Sequence, residues 1–412
     1  GAFTILATDC RQPDIVVGAR HDSPLVVGLG EGENFLGSDV AAFVAYTKRA
    51  MEVDQDQAVC VSADKVIVTD FDGNVVENPK TYTVDWDASA AEKGGWDSFM
   101  DKEIHEDPAA VQRTLLGRFD ANGGITLDEV RIDEHDFKAI DKIIVVACGT
   151  ASYAGQVAKY AIEHWVRIPV EIELAHEFRY RDPILTPRTL VVAISQSGET
   201  MDTLMALRHA REQGSKVLAI CNTQGASIPR ESDAVLYTHA GPEVAVASTK
   251  AFVAQITAAY LLGLYLAQVK GAMFRDEIHQ MLDSLKDMPR KIQWVLDTQP
   301  KTIQAAAERM VNANSFLFLG RHVGYPVALE GALKLKEIAY TFTEGFAAGE
   351  LKHGPIALVD EGEPVVFIVP PQRGRNVLHA KVISGIEEVK ARGAYIIAVA
   401  EQGDPDVERY AD

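Results

Sequence analysis

Two stretches of this chain repeat the same alternation of short apolar runs and helical patterns. The apolar runs of the first stretch are 143–147, 170–174, 190–194, 216–221 and 234–238, and those of the second are 315–320, 364–369 and 394–399. Strands that alternate with helices predict a parallel, doubly wound sheet, which binds ligands beyond the carboxyl ends of its strands. The sequence therefore predicts an α/β fold with two similar sheets in tandem. We expect the second copy to be truncated, because the chain stops at Asp412 before a fifth strand.

The third strand of the first copy ends in a turn that is rich in hydroxyl groups. The turn is Ser195–Thr200, and a helical pattern starts directly after it. A strand, a tight turn and a helix N-terminus aim backbone N–H groups and the positive end of a helix dipole at an anion. The turn lacks the lysine and the spacing of a nucleotide P-loop, so it predicts a site for a small monophosphate. An ordinary Ser/Thr helix cap is the alternative. Gly374 stands in the second copy where Gly198 stands in the first.

Composition excludes some classes of function. The net charge of −19 and the isoelectric point near 5.0 argue against a nucleic-acid partner, which requires a basic surface. The four cysteines lack metal-ligand spacing, which predicts reduced thiols, no metal and a cytoplasmic location. Residues 251–269 are uncharged, but Gln255, Thr257 and Gln268 interrupt them. This stretch predicts a buried or interface helix rather than a membrane span.

The beginning of the chain has a different pattern, and we expect its true start to be missing because it opens inside a strand without an initiator Met. The strands predicted there are 2–8, 15–19, 25–29, 58–61 and 66–70. They predict part of a layered α+β domain over 1–92, with no recognisable nucleophile–base pair. Residues 93–133 are charged and predict a linker with one amphipathic helix over 96–116. The tandem sheets are then assigned to 134–290 and 307–412.

A helical pattern after the 315–320 strand carries three charged residues on one face. Glu330, Lys334 and Glu337 are spaced by four and then three residues. Ion pairs on a solvated helix surface are the common interpretation of such spacing. The surrounding residues are apolar, however, which favours a polar cluster that faces a site. A carboxylate held beside an amine could shuttle a proton between adjacent sugar carbons. His353 lies in a predicted turn, although a lone histidine is usually structural.

Five motifs, in this order along the chain, resemble the glutamine–fructose-6-phosphate aminotransferases. They are Cys148-Gly149-Thr150, Ser195–Thr200, Val246–Lys250, Ala328–Glu337 and Gly349–Pro355. The tandem sheets are similar to paired sugar isomerase (SIS) domains, and residues 1–92 are similar to the latter part of a glutaminase domain of the Ntn type. The resemblance implies a homodimer or higher homo-oligomer with no cofactor. It also implies a reaction that converts D-fructose 6-phosphate and L-glutamine into D-glucosamine 6-phosphate and L-glutamate.

The resemblance further implies roles for individual residues. Glu337 would move a proton between C1 and C2 of the sugar, and Lys334 would assist at the C2 oxygen. His353, donated by the neighbouring subunit, would help to open the sugar ring, while Glu330 would order the site. The residues that would hold fructose 6-phosphate are Thr150, Ser195, Gln196, Ser197, Thr200, Val246 and Ser248.

Three departures from the family pattern affect what we expect of this chain. Ala151 stands where many relatives have a serine, so one hydroxyl contact is missing. The N-terminal catalytic cysteine of the glutaminase and the C-terminal tail, with its Schiff-base lysine, are absent. We therefore expect the chain alone to bind the phosphosugar without hydrolysing glutamine.

Two other functions stay open at this point. One is a stand-alone phosphosugar isomerase or deglycase, and the glutaminase-like residues 1–92 argue against it. The other is a regulatory module that binds phosphosugars without turnover. The charged helix face and His353 argue against that second function, because binding alone does not require them.

Overall fold

The computed structural model describes residues 3–84, 92–120, 123–127, 130–373 and 377–412, and Gly374 lies outside these ranges. The chain forms two compact units. The first comprises Gly1–Ile104, Leu127–Cys148 and Glu173–Ala245, and the second comprises His105–Thr126, Gly149–Ile172 and Val246–Asp412. The domain boundaries predicted from the sequence rest on changes of pattern along the chain and stay a prediction.

Helices and strands alternate in the two segments 142–249 and 315–412. In chain order the helices are α1 (Phe99–His105), α2 (Asp107–Leu115), α3 (Glu134–Ala139), α4 (Gly149–Val166), α5 (Ala175–Tyr180), α6 (Met201–Glu212), α7 (Ser227–Glu231), α8 (Lys250–Lys270), α9 (Arg275–Lys286), α10 (Met288–Thr298), α11 (Pro300–Arg309), α12 (Gly324–Ala339), α13 (Leu378–Lys390) and α14 (Pro405–Glu408). The helix predicted over 96–116 is two helices instead of one. Pro108 explains the break, because it has no backbone N–H and its ring clashes with the preceding turn.

The N-terminal part of the first unit is built from antiparallel strands. They are β1 (Phe3–Asp9), β2 (Gln12–His21), β3 (Val26–Leu29), β4 (Asn34–Gly37), β5 (Arg49–Glu52), β6 (Gln57–Val61), β7 (Val66–Asp70) and β8 (Thr81–Thr83). Two sheets form, with the orders β1-β2-β6-β7 and β4-β3-β5-β8. Val27, Val59 and Val68, from both sheets, share one buried cluster, as expected when alternate residues of a strand face the core. The sequence pattern predicted the layered sheets, but β4, β5 and β8 were not predicted.

A parallel sheet follows, and its central strand runs into the hydroxyl-rich turn. Its strands are β9 (Lys142–Ala147), β10 (Val170–Leu174), β11 (Thr189–Ser195), β12 (Lys216–Cys221) and β13 (Ala234–Tyr237), in the order β10-β9-β11-β12-β13. All seven residues of β11 are buried. A continuous apolar run of this kind is what a parallel sheet covered on both faces requires. The polar end of β11 is therefore placed at the carboxyl edge of the sheet, beside the end of β12.

The second unit contains the other parallel sheet. Its strands are β14 (Ser315–Gly320), β15 (Phe342–Ala347), β16 (Pro364–Ile368) and β17 (Tyr395–Val399), in the order β15-β14-β16-β17, and all three pairings are parallel. Leu317 and Phe367 from the strands pack with Val382 and Ile386 of α13 in one buried cluster. The predicted α/β fold with two parallel sheets is confirmed.

Helix α8 is long and apolar enough to cross a membrane by length and composition, yet it is a core helix of the second unit. Within its most apolar window, 61% of the residues are buried inside the protein. A side chain at Gly263 would meet Ile162 of α4 at 2.8 Å, and the rings of Trp165 and Tyr260 pack edge to face. The absence of a polar face therefore reflects the burial of most of its residues within the second unit.

Candidate active site

In the first unit, the hydroxyl-rich turn joins β11 to α6. Ser195 Oγ lies 3.0 Å from Thr200 Oγ1, and it accepts a 3.0 Å hydrogen bond from the backbone N–H of Gly198. Gly198 has a φ of +70°, a conformation that favours glycine. Thr200 directly precedes α6, but its side chain does not cap the helix. The first N–H groups of α6 are thus left uncapped by this residue, as in helix N-termini that bind anions.

The side chain of Glu199 ties the same turn to α7 through a contact that was not predicted from the sequence. Its carboxylate accepts a 2.8 Å hydrogen bond from the backbone N–H of Ser227, the first residue of α7. Burial raises the pKa of the Glu199 carboxyl, while the hydrogen bond from Ser227 and the positive charges of Arg20 and Arg230 oppose that rise. Ser227 lies 28 residues further along the chain, so no local pattern could have indicated this contact.

In the second unit, the charged face of α12 forms one hydrogen-bonded cluster with Thr150 at the start of α4. Thr150 donates to Glu330 Oε1 at 3.1 Å, and Lys334 donates to Thr150 Oγ1 at 3.0 Å. Lys334 Nζ also lies 3.4 Å from Glu330 Oε1 and 2.7 Å from Glu337 Oε2. The contact with Glu337 is a close ion pair that lies off the ideal hydrogen-bond direction. This cluster brings together four of the site residues predicted from the sequence.

Burial shifts the pKa of one member of this cluster, Glu330. Glu330 is 6% exposed, and desolvation raises its pKa to about 7, against the lowering effects of Lys334 and Thr150. Its second oxygen, Oε2, is buried and has no hydrogen-bond partner among the described residues. Glu337 is more open, with a third of its side chain exposed. The arrangement offers one carboxyl that titrates near neutrality, and a second, more exposed carboxyl group beside the Lys334 amine.

The remaining predicted residues lie in other loops of the same two units. Gln196 and Ser197 belong to the turn of the first unit. In the second unit, Val246 is 98% exposed and Ser248 is half-buried, both directly before α8. His353 ends a 3-10 segment, Ala348–His353, and is exposed. Among the described residues, no hydrogen bond or ion pair joins His353 to the α12 cluster.

Comparisons with known proteins agree with this arrangement of sheets and polar loops. Residues 137–265 and 309–412 match the SIS domain family. The chain is 66% identical to a glutamine–fructose-6-phosphate aminotransferase (isomerizing) of Corynebacterium diphtheriae, over all of this chain and 66% of that protein. It is 63% identical to the enzyme of the same name from Streptomyces coelicolor, over all of this chain and 67% of that protein.

Solved structures show the same fold. The C-terminal domain of glucosamine-fructose-6-phosphate aminotransferase from Francisella tularensis has a TM-score of 0.73 at 39% identity, over 78% of this chain and 87% of that one. Tagatose-6-phosphate ketose/aldose isomerase from Escherichia coli has a TM-score of 0.59 at 18% identity, over 76% and 85% of the two chains. At that identity the second structure supports the fold alone.

These matches define the chain as a SIS domain protein, with both polar sites inside the matched segments. Within that class it belongs to the glutamine–fructose-6-phosphate aminotransferase family. The chain spans about two thirds of the length of the curated relatives that it matches.

Proposed function

We propose that this chain carries the sugar-phosphate half of a glutamine-dependent aminotransferase. The parent reaction converts D-fructose 6-phosphate and L-glutamine into D-glucosamine 6-phosphate and L-glutamate, which begins hexosamine synthesis. The observation that carries the proposal is the cluster of Thr150, Glu330, Lys334 and Glu337, because phosphosugar binding alone does not require two carboxylates and an amine in contact. The names of the relatives supply the substrates.

In this proposal the loops bind the substrate and α12 provides the proton-transfer groups. The phosphate takes hydrogen bonds from the turn and from the uncapped first turn of α6, where the helix dipole favours an anion. Residues assigned to phosphate and sugar contacts are Ser195, Gln196, Ser197, Thr200, Thr150, Val246 and Ser248. Fructose 6-phosphate needs no metal for these contacts, since hydroxyl and backbone N–H groups donate to the phosphate oxygens directly.

Proton transfer is assigned to Glu337. It removes the proton from one of the two adjacent sugar carbons, C1 and C2, and returns it to the other, so that the carbon skeleton is unchanged. Lys334 lies 2.7 Å from the same carboxylate, and its positive charge stabilises negative charge at the C2 oxygen. Glu330 orders Thr150 and Lys334 from its buried position. His353 of a second copy assists the opening of the sugar ring, so the active protein is at least a homodimer. We place this reaction in the cytoplasm.

Calorimetric titration with fructose 6-phosphate tests the proposal. Ser197→Ala or Thr200→Val should weaken binding by about 1.5–3 kcal/mol, the usual loss when a hydrogen bond to a charged group is removed. Ser284→Ala is a matched control, because Ser284 is an exposed serine whose hydroxyl bonds only within α9. Equal affinity of the wild type and both turn variants would contradict the assignment of the turn to the phosphate.

A further inference from the structure

The segment that carries Val246 and Ser248 is fastened at its beginning by a carboxylate from the linker. In the first unit, Glu103 of α1 accepts hydrogen bonds from the backbone N–H groups of Val244, at 2.7 Å, and Ala245, at 3.1 Å. Glu103 is only 2% exposed. A buried carboxylate that accepts two successive backbone N–H groups fixes both peptide planes, because charged acceptors make the stronger and more directional hydrogen bonds.

The same segment is fastened at its end by the next linker carboxylate. In the second unit, Lys250 begins α8 and its ammonium group contacts Glu106, the residue before α2. The Lys250 side chain is 1% exposed and that of Glu106 is 29% exposed. A buried ammonium group without a partner is strongly unfavourable, so the position of Glu106 determines where Lys250, and with it the end of the segment, can lie.

Between these two anchors the side chains of the segment differ in burial. Val246 is 98% exposed, and Ala247 is the one buried side chain of 244–249. Both ends of the segment are held by carboxylates of the linker. We infer that Glu103 and Glu106 are positioning residues, which hold the Val246–Ser248 segment in the geometry that contacts the phosphosugar. This inference rests on the proposed function, in which that segment binds the sugar.

The alternative is that both carboxylates only stabilise the docking of the linker helices. Both roles predict a lower free energy of unfolding when a carboxylate is neutralised. They differ in two readouts, namely the hydrogen exchange of the Val244 and Ala245 amides in the folded protein, and the affinity for fructose 6-phosphate. Only the positioning role predicts that both readouts change under conditions where each variant is fully folded.

The experiment compares Glu103→Gln and Glu106→Gln with the wild-type chain. Glutamine keeps the size of the side chain but removes its charge, so packing is conserved. Asp97→Asn is the matched control, since Asp97 is an exposed acidic residue that precedes α1. Fructose 6-phosphate is titrated calorimetrically, and amide exchange of the peptide that contains 244–250 is followed by mass spectrometry. Lys250→Met combined with Glu106→Gln serves as a second variant, because it leaves no buried charge without a partner.

We expect faster exchange at 244 and 245 in Glu103→Gln, and an affinity for fructose 6-phosphate that is lower by about tenfold or more in both single variants, because a loosened loop must be ordered on binding. The double variant should regain thermal stability relative to Glu106→Gln but keep its weakened affinity. If the wild type binds and every variant binds equally well, the positioning role is wrong while the proposed function stands. If the wild type itself does not bind fructose 6-phosphate, the proposed function fails and this inference fails with it.

Discussion

Glu337 combines exposure with a fixed charged neighbour, and this combination makes it the residue best suited to move a proton. Lys334 Nζ lies 2.7 Å from its carboxylate, and a third of the Glu337 side chain is exposed. Glu337→Gln should leave fructose 6-phosphate binding nearly intact, because the amide has almost the same size and the phosphate contacts lie on other loops. Exchange of the substrate C1 proton with deuterated solvent, followed by NMR, should slow by about 10²–10⁴-fold, the usual range for the loss of a general acid–base group.

The competing interpretation makes Glu337 an ordinary ion-pair partner on a helix surface. Its replacement would then cost a few tenths of a kcal/mol in stability and leave proton exchange unchanged. Lys336→Gln, on the exposed side of the same helix, is a suitable control. Wild-type exchange rates in Glu337→Gln, with substrate bound, would remove this residue from the chemistry.

Glu330 should make the stability of the protein depend on pH. Its pKa is raised from 4.5 to about 7 by burial, so the folded chain holds a proton that the unfolded chain releases. The contribution of Glu330 to the free energy of unfolding is fully present below the ordinary pKa, and it decreases as the pH rises towards the raised value. The loss is complete above about pH 7 and amounts to roughly 3 kcal/mol at most.

Comparison with Glu330→Gln isolates this effect, because the amide does not titrate. The difference in unfolding free energy between the two proteins, measured by urea denaturation, should shift in favour of the variant as the pH rises from about 4.5 to about 7. Glu308→Gln, at an exposed position on α11, should show no such trend. A pH-independent difference for Glu330→Gln would contradict a buried carboxyl with a raised pKa.

Among the elements, the turn between β11 and α6 is one that tolerates little change. A Cβ atom at Gly198 would lie 2.6 Å from Ala226 Cβ and 2.7 Å from Cys221 Sγ, and the backbone φ is +70°. Gly198→Ala should therefore lower the free energy of unfolding by roughly 2–4 kcal/mol through backbone strain and overpacking together. It should also weaken fructose 6-phosphate binding, because relief of the clash displaces the turn.

Gly214→Ala separates the two contributions to this loss. Gly214 also has a positive φ, +83°, but nothing lies within 4 Å of a Cβ placed there. That variant should lose only the free energy of unfolding that backbone strain costs, on the order of 1–2 kcal/mol, and its affinity for the ligand should be unchanged. Urea denaturation and calorimetry give both quantities. Equal losses at the two glycines would show that the close contacts around Gly198 relax without cost.

The elements that sequence could predict are those whose pattern is local. Strand β11 is a continuous apolar run, and the spacing of Glu330, Lys334 and Glu337 places them on one side of α12. Strand β15 was missed because its sequence, Phe342–Ala347, includes Thr, Glu and Gly and carries no apolar run. It lies at the edge of its sheet, where burial on both faces is not required.

The contacts that hold the site together could not be predicted from local patterns. Thr150 and Glu330 are 180 residues apart, and the hydrogen bond between them exists because α4 and α12 pack together in the second unit. The motif resemblance suggested that both residues belong to one site. The hydrogen bond between them and the burial of Glu330 are seen only in the folded structure. The anchoring of the 244–250 segment by Glu103 and Glu106 gave no signal in the sequence for the same reason.

At the scale of the molecule, the antiparallel sheets and the first parallel sheet belong to one compact unit. Sequence pattern suggested a separate domain over 1–92. That boundary stays a prediction. Within the unit, Arg208 on α6 donates to both oxygens of Glu231 at 2.7 and 2.8 Å and to Asp22 at 3.1 Å. Asp22 lies just after β2, so this guanidinium joins the antiparallel part to the helix that follows the proposed phosphate turn.

A double-mutant cycle on Asp22 and Arg208 measures how strongly this contact couples the two parts. Asp22 has a φ of +62°, and Asn is the replacement that best tolerates this conformation while removing the charge. Asp22→Asn, Arg208→Met and the double variant should give a coupling free energy of about 1 kcal/mol in urea denaturation, because the pair is partly buried and already oriented by Glu231. The exposed pair of Arg11 and Asp9 on the β1–β2 hairpin provides the control cycle and should couple less. A coupling no larger than that of the hairpin pair would mean that the apolar core of the unit, and not this guanidinium, holds the antiparallel part in place.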